Sequence, residues 1–179
     1  SLHDALPILT KTQEIIRNSV YKRIKTKIET ITNFKVEMYG STCTNLNLNS
    51  SDIDLTVFTP SDLNENSSKL YRDIVEKRAI DRIVSIVMRE HYVATSTLQV
   101  IRFCRVPLIK FIDSESNLPV DITVNQENGI SILHGVKLIL TEFPIIHKTV
   151  LFMKLLLRQY SLNDASEGGL SSFMVFHLV

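Results

Sequence analysis

Short segments in which apolar and polar residues alternate are the feature of this sequence that most limits its fold. Residues 52–58 and 120–124 alternate clearly, and residues 34–39, 97–106 and 108–112 have a similar extended character. A period of two places the side chains of a strand on two unlike faces. The five segments are therefore predicted to be strands of a sheet.

Helical periodicity precedes and follows these strands. In the first predicted helix, apolar residues recur every three or four positions, at Ile16, Val20, Ile24, Ile28 and Ile31. Thr10 and Gln13 have the spacing of a capping box at its start. The opposite face carries five cations, Arg17, Lys22, Arg23, Lys25 and Lys27. A solvated helix face is the simplest interpretation of these cations, and contact with an RNA backbone is the alternative.

The last part of the chain shows only helical periods. Helical spacing first returns at residues 70–87, between the predicted strands, and it continues without interruption by strands after Gly129. Pro144 suits the first turn of a helix, and residues 145–160 are apolar almost all round. This order predicts an α+β unit followed by a helical unit. Because the sequence of 179 residues stops inside an apolar stretch, we interpret it as a fragment cut at its C-terminus.

The composition excludes several classes of protein. Lys and Arg number 20 against 19 Asp and Glu, so the net charge of +1 does not by itself indicate a nucleic-acid partner. Cys43 and Cys104 lie far apart, which argues against a zinc site or a disulfide framework and favours a reduced intracellular protein. No uncharged apolar run approaches the roughly 18 residues of a membrane span, and no membrane partner is expected.

Two aspartates on one predicted strand are the first sign of a catalytic site. Asp52 and Asp54 are two positions apart, so their carboxylates point to the same side and can converge on a pair of divalent ions. Asp121, on the polar face of another alternating strand, is the candidate for a third carboxylate. Carboxylates and substrate phosphates together suit Mg²⁺. The pattern therefore predicts a site for two Mg²⁺ ions, with Mn²⁺ as the alternative.

Three further residues suit a triphosphate. Gly40 lets the backbone approach a phosphate closely, and Ser41 adds a hydroxyl and an N–H group. Lys154 emerges from an otherwise apolar helix stripe, so its ammonium must reach water or meet an anion. Each feature alone has a simpler explanation, namely the wet face of a strand, a turn, or a lysine at the edge of the core. Their occurrence together and in this order favours phosphoryl transfer.

These motifs resemble those of a known family. Gly40-Ser41, then Ser51-Asp52-Ile53-Asp54, then Val120-Asp121-Ile122 are similar to the signature of polymerase-β-like nucleotidyltransferases. Further segments resemble the non-canonical poly(A) polymerases of nuclear RNA surveillance, within the terminal nucleotidyltransferase family. These segments are residues 106–111, 120–123, 128–130, 154–157, 162–163 and 168–173. The resemblance covers roughly residues 12–179.

The resemblance implies a fold and a set of ATP contacts. It implies an α+β protein with a nucleotidyltransferase palm and mixed β-sheet at residues 34–128, and an incomplete helical central domain at residues 10–33 and 129–179. In the family, a glycine after the third aspartate, a helix lysine and a Ser-Tyr pair contact ATP. The matching positions are Gly129, Lys154, Ser172 and Phe173. Ser172 is expected near a helix start, where free N–H groups favour anions. Phe173 keeps a ring that can stack on a base but lacks the hydroxyl of tyrosine.

The implied activity is template-independent transfer of AMP from ATP to the 3′-hydroxyl of RNA by a two-metal mechanism. The expected partners are ATP, an RNA 3′ end, and RNA-binding and helicase subunits of a surveillance complex. The expected compartment is the nucleus, with the cytoplasm as the alternative. A terminal uridylyltransferase would share every residue of the site, because the base-reading segment of the family lies beyond Val179. A catalytically dead RNA-binding or scaffold member of the fold is the other alternative, and residues 168–173 argue against a small-molecule nucleotidyltransferase.

Overall fold

The computed structural model describes residues 9–49, 51–60, 68–102, 106–163 and 169–179. The predictions that concern Cys104 and Gly168 lie outside these residues. The strands are β1 (Lys35–Met38), β2 (Ile53–Phe58), β3 (Gln99–Ile101), β4 (Leu108–Ile112) and β5 (Pro119–Val124). The helices are α1 (Lys11–Ile31), α2 (Gly40–Cys43), α3 (Lys69–Arg89), α4 (Glu127–Glu142), α5 (Pro144–Gln159) and α6 (Ser172–Leu178). Within the described residues, no helix combines the length and apolarity needed to cross a membrane.

The strands form one mixed sheet in the order β1-β2-β5-β4-β3. β2 and β5 are parallel, and the other neighbouring strands are antiparallel. A parallel pair needs a long crossover, which here contains α3, β3 and β4. The predicted α+β fold with a mixed sheet is confirmed. Of the segment 97–106, only Gln99–Ile101 is a strand among the residues described.

The main hydrophobic core lies between the sheet and the helices α1 and α3. It includes Val20, Ile24 and Ile28 of α1, Ile80, Ile83 and Val87 of α3, and Ile53, Leu55, Val57, Val120 and Ile122 of the parallel strands. The alternation that predicts the strands thus also identifies their buried residues. α1 packs against the sheet and contributes to its core, whereas the sequence predicts that residues 10–33 group with the later helices. The division into domains remains a prediction.

A second core joins the three C-terminal helices to the loop between α2 and β2. It includes Val136 of α4, Val150, Leu151 and Leu157 of α5, Val175 and Phe176 of α6, and Leu46 and Leu48 of the loop. We call this segment the α2–β2 loop (residues 44–49 and 51–52). Because the loop leads directly into β2, its packing links the C-terminal helices to the strand that carries the first aspartates.

The start of α1 confirms one local prediction and corrects another. The backbone N–H of Gln13 donates to the hydroxyl of Thr10 at 3.3 Å, and the N–H of Thr10 donates to the Gln13 side chain at 2.9 Å, which completes the capping box. Arg17 was expected on the solvated face, but it is only 1% exposed. It precedes Val20 by three positions and Ile24 by seven, so helical geometry places it on the buried stripe.

Other cations of α1 are paired with acidic side chains of the protein. Arg23 forms ion pairs with Asp113 and Glu115. Lys25 and Lys27 form ion pairs with acidic residues outside α1, at Glu37 and Glu90. These three cations therefore take part in tertiary structure rather than forming a purely solvated face.

Candidate active site

The parallel strands β2 and β5 bring the predicted aspartates together. Asp54 of β2 pairs directly with Asp121 of β5. Neighbouring strands of a sheet lie about 5 Å apart. Asp52 lies two residues before Asp54, just ahead of β2. Asp54 and Asp121 are therefore neighbours in the sheet, and Asp52 lies in the residues that lead into the same end of β2.

The carboxylate of Asp54 lies in a poorly solvated and negatively charged environment. Burial, and then the charges of Asp121 and Asp52, raise the pKa of Asp54 to about 7. The ammonium groups of Lys154 and Lys110 oppose this shift. A nearby cation favours the charged form of such a carboxylate. This environment is therefore suited to a positively charged ligand.

Asp121 is paired with a lysine of the neighbouring strand. Lys110 of β4 lies opposite Asp121, and its Nζ is 2.9 Å from Oδ2 of Asp121. Burial raises the pKa of Asp121, and the bond from Lys110 opposes that shift. In the part of the chain that the structure describes, no three His, Cys, Asp or Glu side chains are grouped closely enough to hold a metal ion. Asp121 thus lies beside Asp54, with its carboxylate bound to Lys110.

A glycine is required where the chain passes Asp54. Gly40 begins α2 with a φ of +71°, which residues with a side chain rarely adopt. A Cβ atom at this position would also overlap the carboxylate of Asp54. The preceding residue, Tyr39, donates its backbone N–H to the carbonyl of Asp54 at 3.0 Å. Gly40 therefore allows α2, with Ser41, to lie directly against the aspartate.

Two cavities connect the predicted site residues. The larger has a volume of about 410 Å³, and its lining includes Gly40, Ser41, Asp54, Ser172 and Phe173. The smaller has a volume of about 210 Å³, and its lining includes Ser41, Asp52, Asp54, Lys154 and Ser172. Of the described residues, Asp121 is not among those that line them. The structure thus brings most of the predicted residues to shared cavities, and their roles remain predictions.

Lys154 lies on the buried face of α5. It is 8% exposed, and its Nζ donates a hydrogen bond of 2.6 Å to the carbonyl of Leu46 in the α2–β2 loop. Burial lowers the pKa of Lys154 to about 8, and the charge of Asp54 opposes this shift. The ammonium is therefore bound to the backbone at the wall of the smaller cavity, which Asp52 and Asp54 also line.

The remaining predicted nucleotide contacts lie on α4 and α6. α6 begins at Ser172, and Ser171 caps it by accepting the N–H of Met174 at 3.2 Å. Phe173 is 45% exposed, and its ring centre lies 4.1 Å from that of His177. Gly129 lies in the first turn of α4. Phe173 therefore presents part of its ring at the larger cavity, where a base could stack.

Three residues that shape this site are not among those that the sequence predicts to belong to it. Lys110 pairs with Asp121, and the hydroxyl of Tyr39 lies 3.2 Å from that of Thr123 on β5. Burial raises the pKa of Tyr39 to about 12, so its hydroxyl remains protonated. Arg17 is buried against the α2–β2 loop. The alternation of β4 could have indicated that Lys110 lies on the less buried face of its strand. The apolar stripe of α1 could have indicated that Arg17 is buried.

A mixed sheet whose parallel strands carry Asp54 and Asp121, with Asp52 just ahead of the first of them and a Gly-Ser helix alongside, defines the palm of a polymerase-β-like nucleotidyltransferase. The chain belongs to the family described as "Poly(A) RNA polymerase, mitochondrial-like, central palm domain", which matches residues 8–139. The family resemblance identified from the motifs is therefore confirmed. The matched region includes α1, which packs on the sheet.

Curated relatives carry consistent names. Poly(A) RNA polymerase protein 1 of Eremothecium gossypii is 29% identical over 169 residues, which are 94% of this chain and 25% of that protein. Poly(A) RNA polymerase gld-4 of Caenorhabditis elegans is 32% identical over 171 residues, 92% of this chain and 17% of that protein. A Drosophila melanogaster relative, 27% identical over 95% of this chain and 39% of its own length, is named an inactive poly(A) RNA polymerase, Trf4-2. The chain thus spans a quarter or less of the first two relatives.

A solved structure supports the fold. The structure of the polymerase core of TRAMP, an RNA surveillance complex, matches with a TM-score of 0.76 and 24% sequence identity. The match covers 97% of this chain and 50% of that chain. At this identity the likeness concerns the fold, which includes both the sheet and the helices that follow it.

Proposed function

We propose that this chain is the catalytic part of an RNA 3′-terminal nucleotidyltransferase that transfers AMP from ATP to the 3′-hydroxyl of RNA and releases pyrophosphate. The observation that carries the proposal is the pairing of Asp54 with Asp121 on parallel strands, with Asp52 two residues upstream. The smaller cavity beside these strands is lined by Ser41, Lys154 and other groups suited to phosphate. The names of the relatives support adenylate as the transferred group.

The side chains beside the smaller cavity have the chemistry to bind divalent cations. Asp52 and Asp54 both line it and provide the hard oxygen ligands that Mg²⁺ and Mn²⁺ prefer. Asp121 would complete the set once its carboxylate leaves Lys110. The accumulated negative charge and burial that raise the pKa of Asp54 to about 7 are what a cation would compensate. We assign Asp52 and Asp54 to both ions and Asp121 to one of them. When bound, the ions would stabilise phosphoryl charge and activate the attacking hydroxyl.

The other residues bind and orient the substrates. Ser41, Ser172 and Lys154 are proposed to bind the triphosphate, and Gly40 and Gly129 to let the backbone approach the nucleotide. Phe173 is proposed to stack on the base. Asp121 is proposed to accept the proton of the 3′-hydroxyl. Catalysis then depends mainly on positioning and neutralising charge and needs no nucleophile from the protein.

The cellular setting belongs to the same proposal. The TRAMP polymerase core is described as part of an RNA surveillance complex. By analogy, this chain would act on RNA 3′ ends in surveillance or turnover, together with RNA-binding and helicase subunits, in the nucleus.

A second candidate function is a catalytically dead scaffold. The observation that favours it is the name of a similar Drosophila protein, which is described as inactive. The presence of an aspartate at each of the three predicted positions favours the enzyme.

A primer-extension assay tests the proposal. The full-length protein is incubated with an RNA primer, Mg²⁺ and each nucleoside triphosphate in turn. Addition of adenylate supports the proposal, preferential addition of uridylate supports a uridylyltransferase, and no addition supports the scaffold. Asp52→Asn should abolish extension. The matched control is Asp81→Asn on α3, whose exposed carboxylate pairs with Arg102 away from the cavities, and it should extend normally.

A further inference from the structure

Arg17 is a buried cation whose role the proposed reaction does not explain. Its side chain lies on the core face of α1 and is 1% exposed. A guanidinium removed from water is costly unless hydrogen bonds replace its hydration. Nη2 of Arg17 donates to the carbonyl of Asn49 at 3.0 Å, and Nη1 donates to the carbonyl of Asp52 at 3.5 Å. The guanidinium therefore binds the main chain immediately before β2.

The segment that Arg17 binds is the α2–β2 loop. This loop joins α2, which carries Ser41, to β2, which carries Asp54, and it ends with Asp52. Leu46 and Leu48 of the loop are buried in the second core, and Lys154 holds the carbonyl of Leu46 from α5. Arg17 holds the same loop from α1, which packs against the sheet. The loop is thus fixed from both sides just ahead of the aspartates.

We propose that Arg17 is a positioning residue, whose forked guanidinium fixes the main chain at Asn49 and Asp52 so that the Asp52 carboxylate is presented to the metal ions. This inference rests on the proposed function, because it concerns the same carboxylates. The carbonyl of Asp52 also lies 3.5 Å from the hydroxyl of Thr42, which donates to it. Two side chains from different helices thus converge on the carbonyl of Asp52.

The shape of arginine suits this task in a way that lysine does not. The planar guanidinium has separate donors on its two arms, and here they reach carbonyls three residues apart. A lysine could keep the charge but would offer only a single donor position. Burial lowers the pKa of Arg17, and the charges of Asp52 and Asp54 oppose that shift.

The test compares Arg17→Lys and Arg17→Met with Val20→Ala in the full-length protein. Val20 is also buried on α1 but packs in the sheet core, so its truncation controls for loss of stability. The first measurement is Mn²⁺ affinity without nucleotide, by electron paramagnetic resonance of free Mn²⁺. The second is kcat and the KM for ATP in primer extension, at a temperature where every protein is folded. Residues that orient metal ligands typically contribute 10–100-fold to affinity or activity.

Both Arg17 variants should lose about 10–100-fold in Mn²⁺ affinity and in kcat, with the KM for ATP within about threefold of the wild type. Val20→Ala should lower Tm without these losses. Losses no larger than those of Val20→Ala would overturn the inference, and so would full activity and Mn²⁺ affinity in Arg17→Lys. If Arg17→Met does not fold, the comparison of Arg17→Lys with Val20→Ala decides whether Arg17 positions Asp52. If the wild type fails to extend any primer, the proposed function fails, while the Mn²⁺ titration still decides on Arg17.

Discussion

Gly40 and Asp54 lie so close together that a single added methyl group at Gly40 would occupy the position of the Asp54 carboxylate. The contact joins the first residue of α2 to the strand that carries the aspartates. The two are further connected by the hydrogen bond from the N–H of Tyr39 to the carbonyl of Asp54. The conformation at Gly40 is thus coupled directly to the position of an aspartate assigned to both metal ions.

Gly40→Ala should therefore damage the site more than the fold. The left-handed φ of +71° costs an alanine roughly 1–2 kcal/mol, and Asp54 must move as well. We expect kcat in primer extension to fall at least about tenfold, with a modest loss of Tm. Gly135→Ala on α4 is the matched control, because its Cβ would meet no atom within 4 Å and the helix should gain stability. Equal activity of the two variants would show that the Gly40–Asp54 approach is unimportant.

Asp54→Asn should separate stability from activity. The carboxylate is buried beside Asp121 and Asp52. Its neutral amide analogue therefore removes the cost of burying a charge and the repulsion from the two neighbouring carboxylates. In buffer with a chelator, we expect the Tm of Asp54→Asn to be higher than that of the wild type by thermal denaturation. Activity should fall by a thousandfold or more, since several kcal/mol of transition-state stabilisation depends on the ligand. A variant that is less stable in chelator yet active would contradict both the electrostatic picture and the metal assignment.

The strands and the first two aspartates of the site could be predicted because their signals are local. Alternation over 52–58 determines that Asp52 and Asp54 share a side, and the capping box at Thr10 depends on residues three positions apart. Asp121 was predictable as a candidate from its own alternating strand. Its direct pairing with Asp54 depends on the order of strands in the sheet, which alternation does not specify.

The contacts that the sequence did not reveal join residues far apart in the chain. Lys154 binds the carbonyl of Leu46, and a backbone acceptor leaves no mark in the sequence. The partner of Asp121, Lys110, depends on the pairing of β4 with β5. The charge of Arg17 predicts a solvated position, but its spacing to Val20 matches the buried stripe, and the side chain is buried. Charge is thus a weaker guide to burial than helical position.

Phe173→Ala should weaken nucleotide binding without unfolding the protein. The ring is 45% exposed and lines the larger cavity, so it contributes little to the core. Stacking of a base on an aromatic ring is worth roughly 1–3 kcal/mol, which predicts a rise of about 5–150-fold in the Kd for ATP. Phe152→Ala, at an exposed position of α5 outside the cavities, is the matched control and should leave this Kd unchanged. Isothermal titration with a non-hydrolysable ATP analogue measures both, and equal affinities would remove Phe173 from the site.

Lys154→Met distinguishes a phosphate ligand from a structural lysine. Removing the ammonium should raise the KM for ATP by about tenfold or more, whereas exposed Lys148→Met on the same helix should not.

Because burial lowers the pKa of Lys154 from 10.5 to about 8, the folded wild type bears the cost of a buried charge below pH 8. Above pH 8 the folded state releases this proton before the unfolded state does, so wild-type stability rises relative to Lys154→Met until about pH 10.5. The change should be about 2.5 kcal/mol between denaturant titrations at pH 7 and at pH 10. A constant stability difference across this range would show that the ammonium is well solvated, and an unchanged KM would exclude Lys154 from the triphosphate site.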